Sequence, residues 1–179
     1  MNKPLCLVTN DDGVDAVGLR TMSNAISDYA DVFIVAPDRE RSASSQALTI
    51  SRSLKHEKLV STSYSSHIYS VDGTPVDCVR YAVHNLLPKK PDIVLSGINH
   101  GGNLGTDVFY SGTVGAAIEA SRYGCKSIAF SCYGKNITNS HYDVAAKVVT
   151  KFIKSLQVLG PESLLNIHIP AIPYEEIKG

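Results

Sequence analysis

No stretch of this sequence approaches the roughly 20 consecutive apolar residues that a membrane-spanning helix requires. Charge of one sign is also missing: 17 lysines and arginines balance 17 aspartates and glutamates, for a formal net charge of zero. A protein that grips long nucleic acid carries a one-sided basic footprint, so that class is excluded. The four cysteines, Cys6, Cys78, Cys125 and Cys132, form no CxxC pair and no Cys/His ligand spacing. Cys6 and Cys78 lie in apolar patterns, where a small buried thiol is expected, and a reducing cytoplasmic setting follows. Lys3 precedes a short apolar run, but Asp11 and Asp12 interrupt it too early for a secretory signal. Gly101-Gly102-Asn103-Leu104-Gly105 is glycine-rich yet lacks both GxGxxG and a P-loop lysine, which excludes dinucleotide and NTPase sites of those types. Internal repeats and low-complexity tracts are absent.

What remains is an alternation of buried strands and amphipathic helices. The 179 residues suit one domain, 1–179, large enough to bury a core. Leu5–Val8 is an unbroken apolar run, as in a strand covered on both faces. Leu19, Met22 and Ile26 at helical spacing predict a helix to about Tyr29, and Val32–Val35 a second strand. Leu48 to Val71 is less regular and is expected to form an antiparallel excursion. Thr74-Pro75-Val76-Asp77 combines a threonine N-cap, proline at the first helical position and an acid at the third. Val76, Val79, Val83 and Leu86 then form one stripe, closed by Pro88. Asp92–Ser96 predicts a further strand, followed by a glycine-rich loop from Gly97 to Gly112. A helix of small residues from Thr113 to about Tyr123, a strand at Ser127–Phe130, a helix marked by Ala145, Val148, Phe152 and Leu156, and a strand at Leu164–Ile169 complete the chain. The expected fold is α/β: a Rossmann-like three-layer α/β/α arrangement with a mainly parallel, doubly wound sheet and a small antiparallel excursion.

The chemistry gathers where strands end. Asp11 and Asp12 close the first strand, and two adjacent carboxylates repel unless a cation or proton lies between them. Ser42 follows the second strand and Asn99 the Asp92–Ser96 strand. In doubly wound sheets, loops leaving the carboxyl edge converge around a ligand. Two carboxylates, a hydroxyl and a carboxamide oxygen are hard donors suited to Mg²⁺, Mn²⁺ or Ca²⁺. Tyr110-Ser111-Gly112-Thr113-Val114 feeds a loop into a helix N-terminus, a natural anion site, with Ser111 or Thr113 as the cap. Arg39 and Arg41 are candidates for positive potential near a phosphate, and His100 for carrying a proton. Asp107 is open between a supporting and a structural role.

Five motifs in order, Thr9-Asn10-Asp11-Asp12-Gly13, Ala36-Pro37-Asp38-Arg39 through Ser42, Gly73-Thr74-Pro75 with Asp77-Cys78, Ser96-Gly97-Ile98-Asn99, and Tyr110-Ser111-Gly112-Thr113-Val114, resemble the SurE (survival protein E) phosphatases, the 5′/3′-nucleotidases. The resemblance implies a divalent-metal-dependent phosphomonoesterase acting on nucleoside 5′- and 3′-monophosphates. It implies one ion per subunit, Mg²⁺ or Mn²⁺, with Ca²⁺ able to take the site in crystals. It implies metal ligands Asp11, Asp12, Ser42 and Asn99, with Asn103, Ser111, Gly112 and Thr113 facing the phosphate, and assembly as a homodimer or homotetramer. Asp11 and Asp12 are then also the catalytic pair, and water is favoured as nucleophile because both carboxylates serve the ion. Members of the family usually continue past the segment resembling Asn166–Gly179 into a portion used in subunit contacts; this sequence reads as lacking that extension. Two other functions share part of this pattern. A non-catalytic nucleotide-binding module fits the shortened chain. A phospho-accepting receiver domain shares the paired acids, but it needs an aspartate after a middle strand and a late lysine, where this chain has Ser96-Gly97-Ile98-Asn99 and Ser131-Cys132.

Overall fold

The computed structural model describes residues 3–178. Seven strands, β1 (Leu5–Thr9), β2 (Asp31–Pro37), β3 (His56–Lys58), β4 (His67–Val71), β5 (Ile93–His100), β6 (Lys126–Tyr133) and β7 (Leu164–Pro170), form one sheet in the order β3-β4-β2-β1-β5-β6-β7. Every pairing is parallel except β3 with β4. The α-helices are α1 (Val17–Ile26), α2 (Pro75–Tyr81), α3 (Gly112–Arg122) and α4 (Asn139–Lys154). Helices α1 and α4 pack together on one face, over Cys6, Val8, Ile34, Leu95 and Phe130. Helices α2 and α3 pack on the other, over Leu7, Val35 and Val94. Neighbouring residues of β1 thus point into opposite cores, which is why Leu5–Val8 shows no polar alternation. Leu7 and Val8 are fully buried, each contributing roughly 1.5–3 kcal/mol relative to exposure.

Chain order and sheet order part between β1 and β5. From β1 the chain builds outward through β2 to β4 and β3, then returns to place β5 on the other side of β1. That reversal opens a crevice at the carboxyl ends of β1 and β5.

Four expectations need correction. The antiparallel excursion shrinks to the three residues of β3, because β4 joins the parallel order beside β2 with Ile68 and Val71 buried. Leu48 and Ile50 lie in an exposed loop instead of a strand. The predicted loop after Ser96 is partly strand: β5 runs on to His100 through a register shift between Ser96 and Asn99. Gly97 makes this possible, with φ +131° and a position where a Cβ would collide with the Phe130 carbonyl oxygen. Finally, α2 widens into a π-turn over Ala82–Leu86, so Ala82, and not Val83, is the fully buried position. The helix start is as the sequence predicts: Thr74 and Asp77 form a reciprocal capping box behind Pro75. No helix among the described residues is long and apolar enough to cross a membrane.

Candidate active site

Past Thr9 the chain turns within three residues. The Asn10 side chain clasps Gly13, donating to its carbonyl at 2.9 Å and accepting its N–H at 3.2 Å. Gly13 adopts φ +99°, which a β-carbon would disfavour. This brace holds Asp11 and Asp12 at the carboxyl end of β1, in the crevice between β1 and β5. Asp11 is 6% exposed. Its carboxylate accepts the Thr113 hydroxyl at 2.5 Å and the Thr113 N–H at 3.2 Å, while its carbonyl accepts the Arg41 N–H at 2.7 Å. Asp12 accepts the His100 N–H at 3.3 Å. The Asn99 amide nitrogen donates to the Gly101 carbonyl at 2.8 Å, which fixes the carboxamide and leaves its oxygen as the atom for a ligand.

Asp11, Asp12, Ser42, Asn99, Asn103 and Ser111 all line one cleft of about 460 Å³. Four of these were expected on a metal and two on a phosphate. Glu40, His100, Asp107 and Tyr110 line it as well. Sequence reasoning missed Glu40, whose carboxylate accepts the Ser42 hydroxyl at 2.5 Å. The Glu40-x-Ser42 spacing on a tight loop was the available signal. His100 is held through Nδ1 by the Tyr142 hydroxyl at 2.8 Å.

Gly112 and Thr113 do not line the cleft. Gly112 is backed against Asp11 and Ser44, and a Cβ there would meet the Ser44 hydroxyl and stand 3.0 Å from the Asp11 Cβ. Ser111 is the N-cap of α3, accepting the Val114 N–H at 3.1 Å. With Thr113 N–H given to Asp11, the anion at this helix N-terminus is a protein carboxylate. The arginines also point elsewhere. Arg41 donates to Asp38 at 2.9 Å and to the Asp72 carbonyl at 3.2 Å, and Arg39 lies 3.7 Å from Asp38.

Among the described residues the cleft lining therefore carries four carboxylates and no lysine or arginine. Burial, only partly offset by the Thr113 hydroxyl, pushes the Asp11 carboxyl above its ordinary range. Burial and then the neighbouring Asp11 push Asp12 up to about 6. Both shifts describe a pair that resists double ionisation until positive charge arrives. Among the described residues no group of three or more His, Cys, Asp and Glu is arranged to hold a metal. The donor set here is of another kind, two carboxylates completed by an alcohol and an amide oxygen, and it suits a hard dication that keeps part of its water.

A larger cleft, about 860 Å³, opens at the opposite edge of the sheet and is lined by five lysines. Lys3, Lys90 and Lys126 donate there to the carbonyls of Ser27, Gly124 and Leu156, just beyond the C-termini of α1, α3 and α4. Cations at helix C-termini offset the dipole, and that accounts for their presence.

The family model described as Survival protein SurE matches residues 6–179. The chain belongs to this family. The 5′-nucleotidase SurE of Aeromonas hydrophila is 44% identical over 176 residues, spanning 97% of this chain and 68% of that protein. The 5′/3′-nucleotidase SurE of Proteus mirabilis is 48% identical over 175 residues, spanning 97% of this chain and 66% of its own length. The crystal structure of the SurE protein from Aquifex aeolicus superposes with a TM-score of 0.87 at 41% identity, covering 98% of this chain and 69% of that one. This SurE-family chain thus spans about two thirds of the length of these relatives.

Proposed function

We propose that the cleft hydrolyses nucleoside 5′- and 3′-monophosphates to nucleoside and phosphate, with one divalent cation, Mg²⁺ or Mn²⁺, as cofactor. The observation that carries this is the convergence of Asp11, Asp12, Ser42 and Asn99 on one acidic cleft at the point where the strand order reverses. Support for the substrate class comes from the relatives named as 5′- and 5′/3′-nucleotidases. Asp11, Asp12, Ser42 and Asn99 would hold the ion. A bound dication supplies the charge that neutralises phosphoryl oxygens during in-line displacement.

The chain's own residues do the rest by positioning. Thr113 and the His100 N–H fix the two carboxylates, so little reorganisation is needed when charge develops. Ser111 uses its oxygen lone pair as the helix cap and keeps its O–H to donate to a phosphate oxygen. Asn103 gives one amide N–H to Ser131 and keeps the second for the phosphate. Gly112 shapes the wall behind Asp11. With both carboxylates assigned to the ion, water is the nucleophile. Four buried, unpaired cysteines support a cytoplasmic setting, and the family resemblance supports a homodimer or homotetramer of this one α/β domain.

The test is phosphate release from AMP by the purified protein across a panel of metals. Steady turnover with Mn²⁺ or Mg²⁺ that EDTA abolishes is expected. Nucleotide binding without any phosphate release would leave only a binding module.

A further inference from the structure

Asn103 lies in an exposed loop, yet it is only 8% exposed while its neighbours Leu104 and Gly105 face solvent. Three separate hydrogen bonds account for this. Its backbone N–H donates to His168 Nε2 at 3.0 Å, its side-chain amide donates to the Ser131 hydroxyl at 2.9 Å, and its carbonyl accepts from the Asn166 amide at 3.1 Å. Ser131 stands opposite His168 in the β6–β7 register, and Ala129 stands opposite Asn166. Since side chains alternate along a strand, all three partners rise from the same face of two adjacent strands. The loop that leaves β5 is therefore moored to β6 and β7, up to two strands away.

We propose that His168 is a positioning residue for the substrate phosphate: with Asn166 and Ser131 it fixes Asn103, and it does so only as the neutral imidazole. The proposal rests on the assignment of Asn103 to the phosphate. Because the Asn103 N–H is the donor, Nε2 must be the unprotonated nitrogen and Nδ1 must carry the proton. Protonation at Nε2 sets two donors face to face and frees the loop. The imidazolium gains no ion pair. Tyr133 presents its ring edge-on with centroids 6.2 Å apart, and among the described residues no carboxylate forms an ion pair with His168. Burial, partly offset by the Asn103 backbone, holds the His168 imidazole below its ordinary range, so the acceptor form persists at neutral pH.

The experiment measures kcat and KM for AMP, inhibition by inorganic phosphate, and the Mn²⁺ activation constant, from about pH 5 to 8, in wild type, His168→Leu, His168→Gln and Asn103→Ala. Glutamine can place an acceptor near the Nε2 position but cannot titrate. Removing the acceptor in His168→Leu should raise KM and the phosphate inhibition constant roughly three- to tenfold, the scale of one hydrogen bond, with the Mn²⁺ constant unchanged. With Mn²⁺ saturating at every pH, His168→Gln should restore both at pH 7.5 and show a smaller rise in KM toward pH 5 than wild type. Unchanged KM and inhibition in His168→Leu, beside a loss in Asn103→Ala, overturns the His168 role and leaves the cleft assignment standing. No effect in Asn103→Ala removes Asn103 from the phosphate, and the proposal with it. If His168→Leu fails to fold, His168→Gln decides alone: an acid rise in KM as large as wild type's overturns the proposal.

Discussion

Thr113 donates twice to Asp11, through its hydroxyl at 2.5 Å and its backbone N–H at 3.2 Å, across 102 residues of sequence. The first turn of α3 is thereby joined to the end of β1. A buried carboxylate sits on the positive end of a helix dipole, where its ionised form regains part of what burial takes away. Thr113→Val keeps the shape and deletes the hydroxyl donor. One hydrogen bond to a charged group is worth about 1.5–3 kcal/mol, so kcat/KM should fall roughly ten- to a hundredfold. The metal activation constant should weaken in parallel. Wild-type metal affinity in Thr113→Val would show that the contact does not tune Asp11.

Asp11→Asn separates catalysis from folding. The substitution keeps the volume and lets the amide oxygen accept from Thr113, while removing one of two mutually repelling carboxylates. Turnover should drop by about three orders of magnitude or more, given that dication charge stabilisation is worth several kcal/mol. The melting temperature of the metal-free protein should hold or rise. Near-wild-type turnover in this variant removes Asp11 from the site.

The frame of this site was legible in the sequence because each of its strand ends announces itself. Asp11-Asp12, Ser42 and Asn99 directly follow apolar runs or turn signals, and a parallel α/β sheet sends all such ends to one edge. The capping box at Thr74 was equally plain, since caps are local chemistry. What was hidden is what depends on contact between distant segments. Thr113 looked like a phosphate ligand because nothing local reveals that Asp11 reaches its hydroxyl first. Arg41 looked available because Asp38 and the Asp72 carbonyl claim it only after β2 and β4 pair. His168 and Asn166 sit on the last strand, far from any motif, and only the β6–β7 register brings them to Asn103. The β5 extension past Gly97 was hidden by the glycine itself, which reads as a loop and serves as a bend inside a strand.

Asp77 carries a different function, holding the 47–50 segment to α2. It is buried and accepts from Thr74 N–H, completing the capping box, and also from the Thr49 N–H and hydroxyl. Asp77→Ala leaves three donors without partners, a cost of about 2–4 kcal/mol. For a domain of this length that lowers the melting temperature by roughly 4–16 °C. Asp77→Asn, keeping one acceptor oxygen, should lose less. Because the Thr49 contacts lie away from the cleft lining, the KM of the folded fraction at 15 °C should stay within about twofold of wild type, the range of ±0.5 kcal/mol for sites outside the mechanism. A large KM change with little loss of thermal stability would place Asp77 in substrate binding instead.

The last expectation concerns pH and metal together. Asp12 titrates at about 6 in the folded, metal-free protein, against about 3.9 for an unperturbed aspartate. A carboxyl with a raised folded pKa keeps more protons folded than unfolded between those values. Its contribution to stability is therefore complete below about pH 4 and is lost as pH rises through 6. Asp72 and Asp92, both lowered by hydrogen bonds and lysine or arginine neighbours, push the opposite way at lower pH, so wild type must be compared with Asp12→Asn. In EDTA, Asp12→Asn should gain stability over wild type as pH climbs from 4 to 6 and hold that gain above. With saturating Mg²⁺ the order should reverse above pH 6, because the cation replaces the proton between the two carboxylates. Metal affinity of wild type should weaken by up to about tenfold per pH unit below 6. Melting curves at half-unit intervals, with and without Mg²⁺, measure all of this, and parallel curves for the two proteins in EDTA would show that Asp12 is not held protonated by the fold.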